Sequence, residues 1–118
     1  MKVLLTSIFL ILFAVQDEFT FVSENQKVVL KIDNGARTVA WGKKSVLNLK
    51  VENIDTEKMT MSAPGIRFAK SKNPKAEVTL EVIPERHVME NDTLNLHIGF
   101  RDMNNEYVYH KFAILITK

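Results

Sequence analysis

Three histidines, fourteen carboxylates and two tyrosines carry most of the side chains in this sequence able to do chemistry. Three imidazole nitrogens around one ion make the ligand set of a catalytic zinc, and His87, His97 and His110 supply three imidazoles. His97 and His110 fall on the last two apolar-alternating segments, where a favourable register would make them cross-strand neighbours. Single histidines on wet or boundary faces explain all three as simply, so the expectation is no metal site. Asp17-Glu18, Glu52-Asn53-Ile54-Asp55 and Asp102-Met103-Asn104-Asn105-Glu106 offer loop oxygens to calcium. None has the spacing of a known calcium loop, and turn-forming acids account for each of them. The chain has no cysteine and hence no thiol nucleophile, no Gly-rich phosphate loop and no Gly-x-Ser-x-Gly elbow. No catalytic residue and no cofactor are expected, and the chain reads as non-enzymatic. What remains is binding chemistry. Tyr107 and Tyr109 stand two residues apart, which puts both rings on one face of a strand. Asp102, Asn104 and Asn105 lie in the loop just before them, and Trp41 is the only tryptophan. Tyrosine and tryptophan dominate interface hot spots, so these six residues form the candidate binding surface.

The elements that must position them are strands. Val28, Leu30 and Ile32 alternate with polar or smaller neighbours, as do Leu47, Leu49 and Val51, then Met59, Met61 and Ala63. Val78, Leu80 and Val82 follow the same rule, then Leu94, Leu96, Ile98 and Phe100, and finally Val108, His110, Phe112, Ile114 and Ile116. Period-two alternation marks strands with one buried and one wet face. The breaks carry turn chemistry. Asp33-Asn34-Gly35 reads as a tight hairpin, Pro64-Gly65 as a turn, Asn73-Pro74 and Pro84 as strand ends, and Asp102 to Glu106 as a short hairpin loop. With Phe19 to Val22 and Ile66 to Ala69 added, seven or eight strands result. The helical reading has one foothold, Asp55 to Met61, and it is brief. The fold expected is all-β: an immunoglobulin-like antiparallel β-sandwich with no disulfide. Trp41, ahead of a strong strand, caps the core from a loop or serves as a recognition residue.

The compartment follows from the first sixteen residues. Lys2 precedes an apolar run from Val3 to Val15, and polar sequence begins at Gln16 and Asp17. A basic start, an apolar centre of roughly 7–15 residues and a small residue near the exit are the parts of a secretory signal. The run falls short of the about 20 residues that a membrane span needs. The expectation is a signal peptide over residues 1–16, cleaved after Ala14 or Gln16, and one sandwich domain over residues 17–118, exported to the periplasm or cell surface. The absence of cysteine excludes a lipid-modified leader and points to a bacterial rather than a disulfide-bonded extracellular domain. Net charge is +2. Lys2 would leave with the signal, and the interspersed charges give no field for nucleic acid or anionic lipid. Lys43-Lys44 and Lys70-Ser71-Lys72 read as solvated loops. Asn91-Asp92-Thr93 is a glycosylation acceptor only in a eukaryotic secretory pathway.

The segment Ser45-Val46-Leu47-Asn48-Leu49-Lys50-Val51-Glu52-Asn53, followed by Lys58-Met59-Thr60-Met61-Ser62-Ala63-Pro64-Gly65-Ile66, resembles the repeated periplasmic β domains of the shaft protein of the gliding-motility and type IX secretion motor. That resemblance implies a stand-alone immunoglobulin-like module from a Bacteroidetes-type bacterium; neither the motor function nor any functional residue comes with it. The function expected is an exported protein-interaction module whose partner is another envelope protein. It would bind through the loops Asp33 to Trp41, Lys70 to Lys75 and Asp102 to Glu106, or through a sheet edge at Lys111 to Lys118. The alternatives are a self-assembling subunit that exchanges strands, and a carbohydrate-binding module using Tyr107 and Tyr109 as a flat platform.

Overall fold

The computed structural model describes residues 18–86 and 91–118. The expected signal segment, residues 1–16, and His87 lie outside them. Nine strands run β1 Thr20–Ser23, β2 Gln26–Ile32, β3 Thr38–Ala40, β4 Ser45–Glu52, β5 Thr60–Ser62, β6 Ile66–Ala69, β7 Glu77–Val82, β8 Thr93–Arg101 and β9 Tyr107–Thr117. They form two sheets, ordered β1-β2-β4-β7-β6 and β3-β9-β8-β5. Lettering β2 and β4 to β9 as A to G gives A-B-E-D against C-F-G, the strand order of the immunoglobulin sandwich, with β1 and β3 added at one flank. The fold is an immunoglobulin-like β-sandwich.

The alternation read from the sequence sets the two faces. Val28, Leu30, Ile32, Leu47, Leu49, Leu80 and Val82 from one sheet bury against Leu94, Leu96, Ile98, Phe100, Phe112, Ile114 and Ile116 from the other. Each such side chain contributes about 1.5–3 kcal/mol on leaving water. On B and F, the strands that a disulfide ties in many immunoglobulin domains, the inward apolar positions are Leu47, Leu49 and Val51 and Leu94, Leu96, Ile98 and Phe100.

Three features depart from the expectation. Asp33-Asn34-Gly35 is no hairpin. The backbone turns with Asp33 at φ 49° and Gly35 at φ 118°, makes one bridge between Ile32 and Ala36, and crosses to the other sheet as β3. There β3 pairs with β9 in parallel, Thr38 opposite Leu115 and Ala40 opposite Thr117, so the second sheet is mixed and the segment 33–41 holds a strand with Val39 buried. Secondly, β9 is an inner strand over its last residues, flanked by β8 and β3. Within the segment 111–118 the last residues, Leu115 to Thr117, are therefore inner, while Lys111 to Ala113 pair with β8 alone. Thirdly, the helical foothold shrinks to one 3-10 turn, Thr56–Lys58, because Asp55 accepts the Glu57 N–H at 3.1 Å and β5 resumes at Thr60.

Candidate functional site: the outer face of the β5-β8-β9 sheet

The β8–β9 hairpin builds the site. Its register sets Arg101 opposite Tyr107, Gly99 opposite Tyr109 and His97 opposite Lys111. Since Ile98, Phe100 and Phe112 point inward, all six of these point out. The turn is wound around Asp102. Its Oδ1 accepts the Asn104 N–H at 2.8 Å and the Glu106 N–H at 2.9 Å, while its own N–H reaches the Glu106 carbonyl at 2.8 Å. Asn105 takes φ 62°, a conformation asparagine tolerates, and Arg101 Nη1 donates to the Asn105 carbonyl at 2.9 Å. The Asp102 carboxylate thus holds the loop, the role turn chemistry assigns it, and Met103, Asn104 and Asn105 are displayed to solvent.

Tyr107 is fixed from three sides. Its hydroxyl shares a 2.9 Å hydrogen bond with Thr60 Oγ1 on β5, the Arg101 guanidinium lies 5.2 Å from its ring centroid, and the ring leans over Gly99. A Cβ at Gly99 would come within 2.5 Å of Tyr107 Cε1, so glycine is what lets the ring lie down. Tyr109 packs on Tyr107 at 4.8 Å between centroids, tilted 34°, and is 75% exposed; Met103 at the tip is 66% exposed. No carboxylate points outward from β5, β8 or β9; the charges there are Arg101 and Lys111, beside His97.

The same end of the sandwich gathers the loops after β4, β6 and β8. The buried Gln26 side chain joins the two sheets there, Nε2 donating to the Asn53 carbonyl at 3.1 Å and the Arg101 carbonyl at 3.0 Å, and Thr56 Oγ1 donates to the Pro74 carbonyl at 2.6 Å. The 70–75 and 102–106 loops therefore share one pole. Trp41 does not belong to it. It follows β3 at the opposite pole, where its N–H meets the Thr117 carbonyl at 2.9 Å; its half-buried ring packs on the core and is covered by the Arg86 guanidinium at 4.4 Å. That is the capping role, not a shared surface with the tyrosines.

Of the histidines, the two among the described residues, His97 and His110, do not converge. The register pairs His110 with Ile98 and His97 with Lys111, which sends the two imidazoles to opposite faces. His97 is exposed. His110 turns inward, stacked on Phe21 at 4.2 Å and 19° and edge-on to Phe112 at 4.6 Å, and burial holds its pKa below the usual 6.5. The 52–55 cluster serves turns: Asp55 caps the 3-10 turn, and Asn53 Nδ2 donates to the Asn25 carbonyl at 2.6 Å.

Sequence reasoning missed Arg101, Gly99, Thr60 and Gln26. The first two were within reach: a loop from Asp102 to Glu106 fixes Arg101 opposite Tyr107, and alternation then sends Gly99 and Arg101 outward. Thr60 and Gln26 act through partners 47 and 75 residues away, which no local pattern encodes.

No protein-family model matches the chain, and no curated protein matches it. Among solved structures it is similar to the BIgI domain of beta protein from S. agalactiae, a structure in which that domain is bound to CEACAM1. The TM-score is 0.45 and the identity 11%, over 77% of this chain and 97% of that one.

Proposed function

We propose that this chain is an exported, non-enzymatic protein-interaction module of a bacterial envelope, and that it engages another envelope protein through the outer face of the β5-β8-β9 sheet and the turn between β8 and β9. One observation carries the reading: an aromatic and cationic row, Arg101, Tyr107 and Tyr109, is locked in place on a rigid hairpin and ends in an exposed Met103. Tyrosine and arginine are the side chains that most often anchor protein interfaces, and a prepaid conformation lowers the cost of binding. Export rests on the leader-like residues 1–16. The sugar-platform alternative is less well supported, because the two rings lean on each other at 34° instead of lying in one plane.

Affinity capture from native envelope extract tests the proposal, using wild-type protein and a double variant, Met103→Ser with Tyr109→Ser. Wild type should enrich one envelope protein, and the double variant should lose it, with a hot-spot cost of about 2 kcal/mol or more, roughly thirtyfold in affinity. Equal recovery by the double variant would move the interface elsewhere. Recovery of bait alone as a ladder of multimers would replace the module with a self-assembling subunit.

A further inference from the structure

The flank beside β9 holds an incomplete lane. Successive residues of an antiparallel ladder alternate between bonding their partner and facing away. Ile116 N–H reaches the Asp92 carbonyl at 2.8 Å and Asp102 N–H the Glu106 carbonyl at 2.8 Å, so the even-numbered residues of β9 bond β8. The odd-numbered ones face the other way, as Thr117 shows by accepting the Trp41 N–H at 2.9 Å. On that side β3 covers only Leu115, Ile116 and Thr117. Among the described residues no strand lies beside residues 107–113, so the N–H and C=O groups of Tyr107, Tyr109, Lys111 and Ala113 point into an open lane some 20 Å long.

Burial along the inner row of β9 tells the same story. Ile116, which β3 covers, and Ile114 and Phe112 just before it are all but fully buried; Val108 and His110, toward the far end of the open lane, are only half-buried. Phe21 of β1, which overhangs this stretch from the other sheet and stacks on His110, is likewise half-covered. An additional strand there would place its inward side chains against Phe21, Val108 and His110. Its outward side chains would lie beside Tyr107, Tyr109 and Lys111, with Arg101 behind them, where β5, β8 and β9 carry no carboxylate.

We propose that residues 107–113 of β9 receive an extended segment of the partner protein by strand addition, and that this segment is apolar at alternate positions and acidic between them. The proposal rests on the interaction-module reading and names the partner's recognised element. Main-chain bonds to four outward-facing residues supply affinity, and the alternation supplies specificity. A second copy of this chain suits the lane less well, because it would lay one cationic, carboxylate-free row beside another.

Amide hydrogen exchange of the purified protein, read residue by residue, tests this with the capped heptapeptide Glu-Val-Glu-Val-Glu-Val-Glu and its lysine counterpart, in which every glutamate is replaced. The acidic peptide should slow exchange at Tyr107, Tyr109, Lys111 and Ala113 by about tenfold or more, and the lysine peptide should not. Lys111→Glu, which leaves the backbone intact, should reverse that preference, and Ala113→Pro, which removes one outward N–H, should weaken both. Four amides unaffected by the acidic peptide, or protected equally by both peptides, would overturn the proposal. Protection without peptide that grows with protein concentration would overturn it in favour of a second copy. If Lys111→Glu still captures the envelope partner while no peptide protects the lane, strand addition fails and the interaction module stands.

Discussion

His110 is the residue whose surroundings most constrain its chemistry. It sits on the inner row of β9 with Phe21 against one face and Phe112 at its edge. Burial disfavours its charged form and lowers its pKa from 6.5. The unfolded chain therefore binds this proton more readily than the folded one. The resulting linkage leaves stability unchanged well above 6.5, and stability falls as pH drops through that value, levelling off below the folded-state pKa. Urea midpoints measured from about pH 8 to about pH 5 should decline in that window, before most carboxylates begin to titrate. His110→Phe keeps an aromatic ring against Phe21 and should flatten the decline. A wild-type curve already flat there, or a variant curve just as steep, would show that His110 does not couple to folding. Its inward position was readable from the alternation of Val108, His110 and Phe112. That it could not meet His97 depended on register, because one residue of slip moves a side chain to the other face.

At the scale of elements, the crossing from β2 to β3 decides the topology. Asp33 N–H donates to the Val46 carbonyl at 2.7 Å, and Val46 N–H donates back to Asp33 Oδ1 at 2.9 Å. The carboxylate stands in for a backbone carbonyl and extends the β2–β4 ladder by one rung while the chain leaves it. Gly35, at φ 118°, then completes the turn; a Cβ there would meet nothing within 4 Å, so any penalty is backbone strain alone. Gly35→Ala should cost about 2 kcal/mol, roughly 10 °C in melting temperature, with no change in the residues buried. A melting temperature equal to wild type would show that the crossing tolerates another path. The same segment marks the limit of what the sequence discloses. Asp-Asn-Gly states that the chain turns, because those residue types accept positive φ. Whether it returns to its own sheet or crosses is settled by partners, β4 on one side and β9 on the other, far along the chain. The strands themselves were legible because each carries its own alternation. The three-residue β3 is too short to show one. The tyrosines and the turn before them came out together because a hairpin is local, whereas Trp41 was grouped with them on residue type alone and lies at the other pole.

For the whole molecule, the absence of disulfides places the burden of stability on the central strands, and β9 bears a large share of it. It pairs with β8 along nine positions and with β3 at its end, and it sends Phe112, Ile114 and Ile116 into the shared core. Truncating a buried phenylalanine costs about 3–5 kcal/mol and a buried isoleucine about 2–5 kcal/mol. Together the three side chains rival the whole stability of a small domain, about 5–15 kcal/mol. Deleting residues 112–118 should therefore abolish cooperative thermal unfolding and leave a disordered far-ultraviolet circular dichroism spectrum. Met103→Ser, on the tip of the β8–β9 turn, should shift stability by no more than about 0.5 kcal/mol, since that side chain is exposed and the loop is held by Asp102 and Arg101. The contrast separates two roles of one strand. The inner row of β9 holds the sandwich together, while its outer row and the side that no other described strand covers are where the proposed partner would bind. A truncated chain that still melted cooperatively would mean that β9 can be replaced in the core. The open lane beside residues 107–113 would then be the sign of an exchangeable strand rather than of a docking edge on a fixed one.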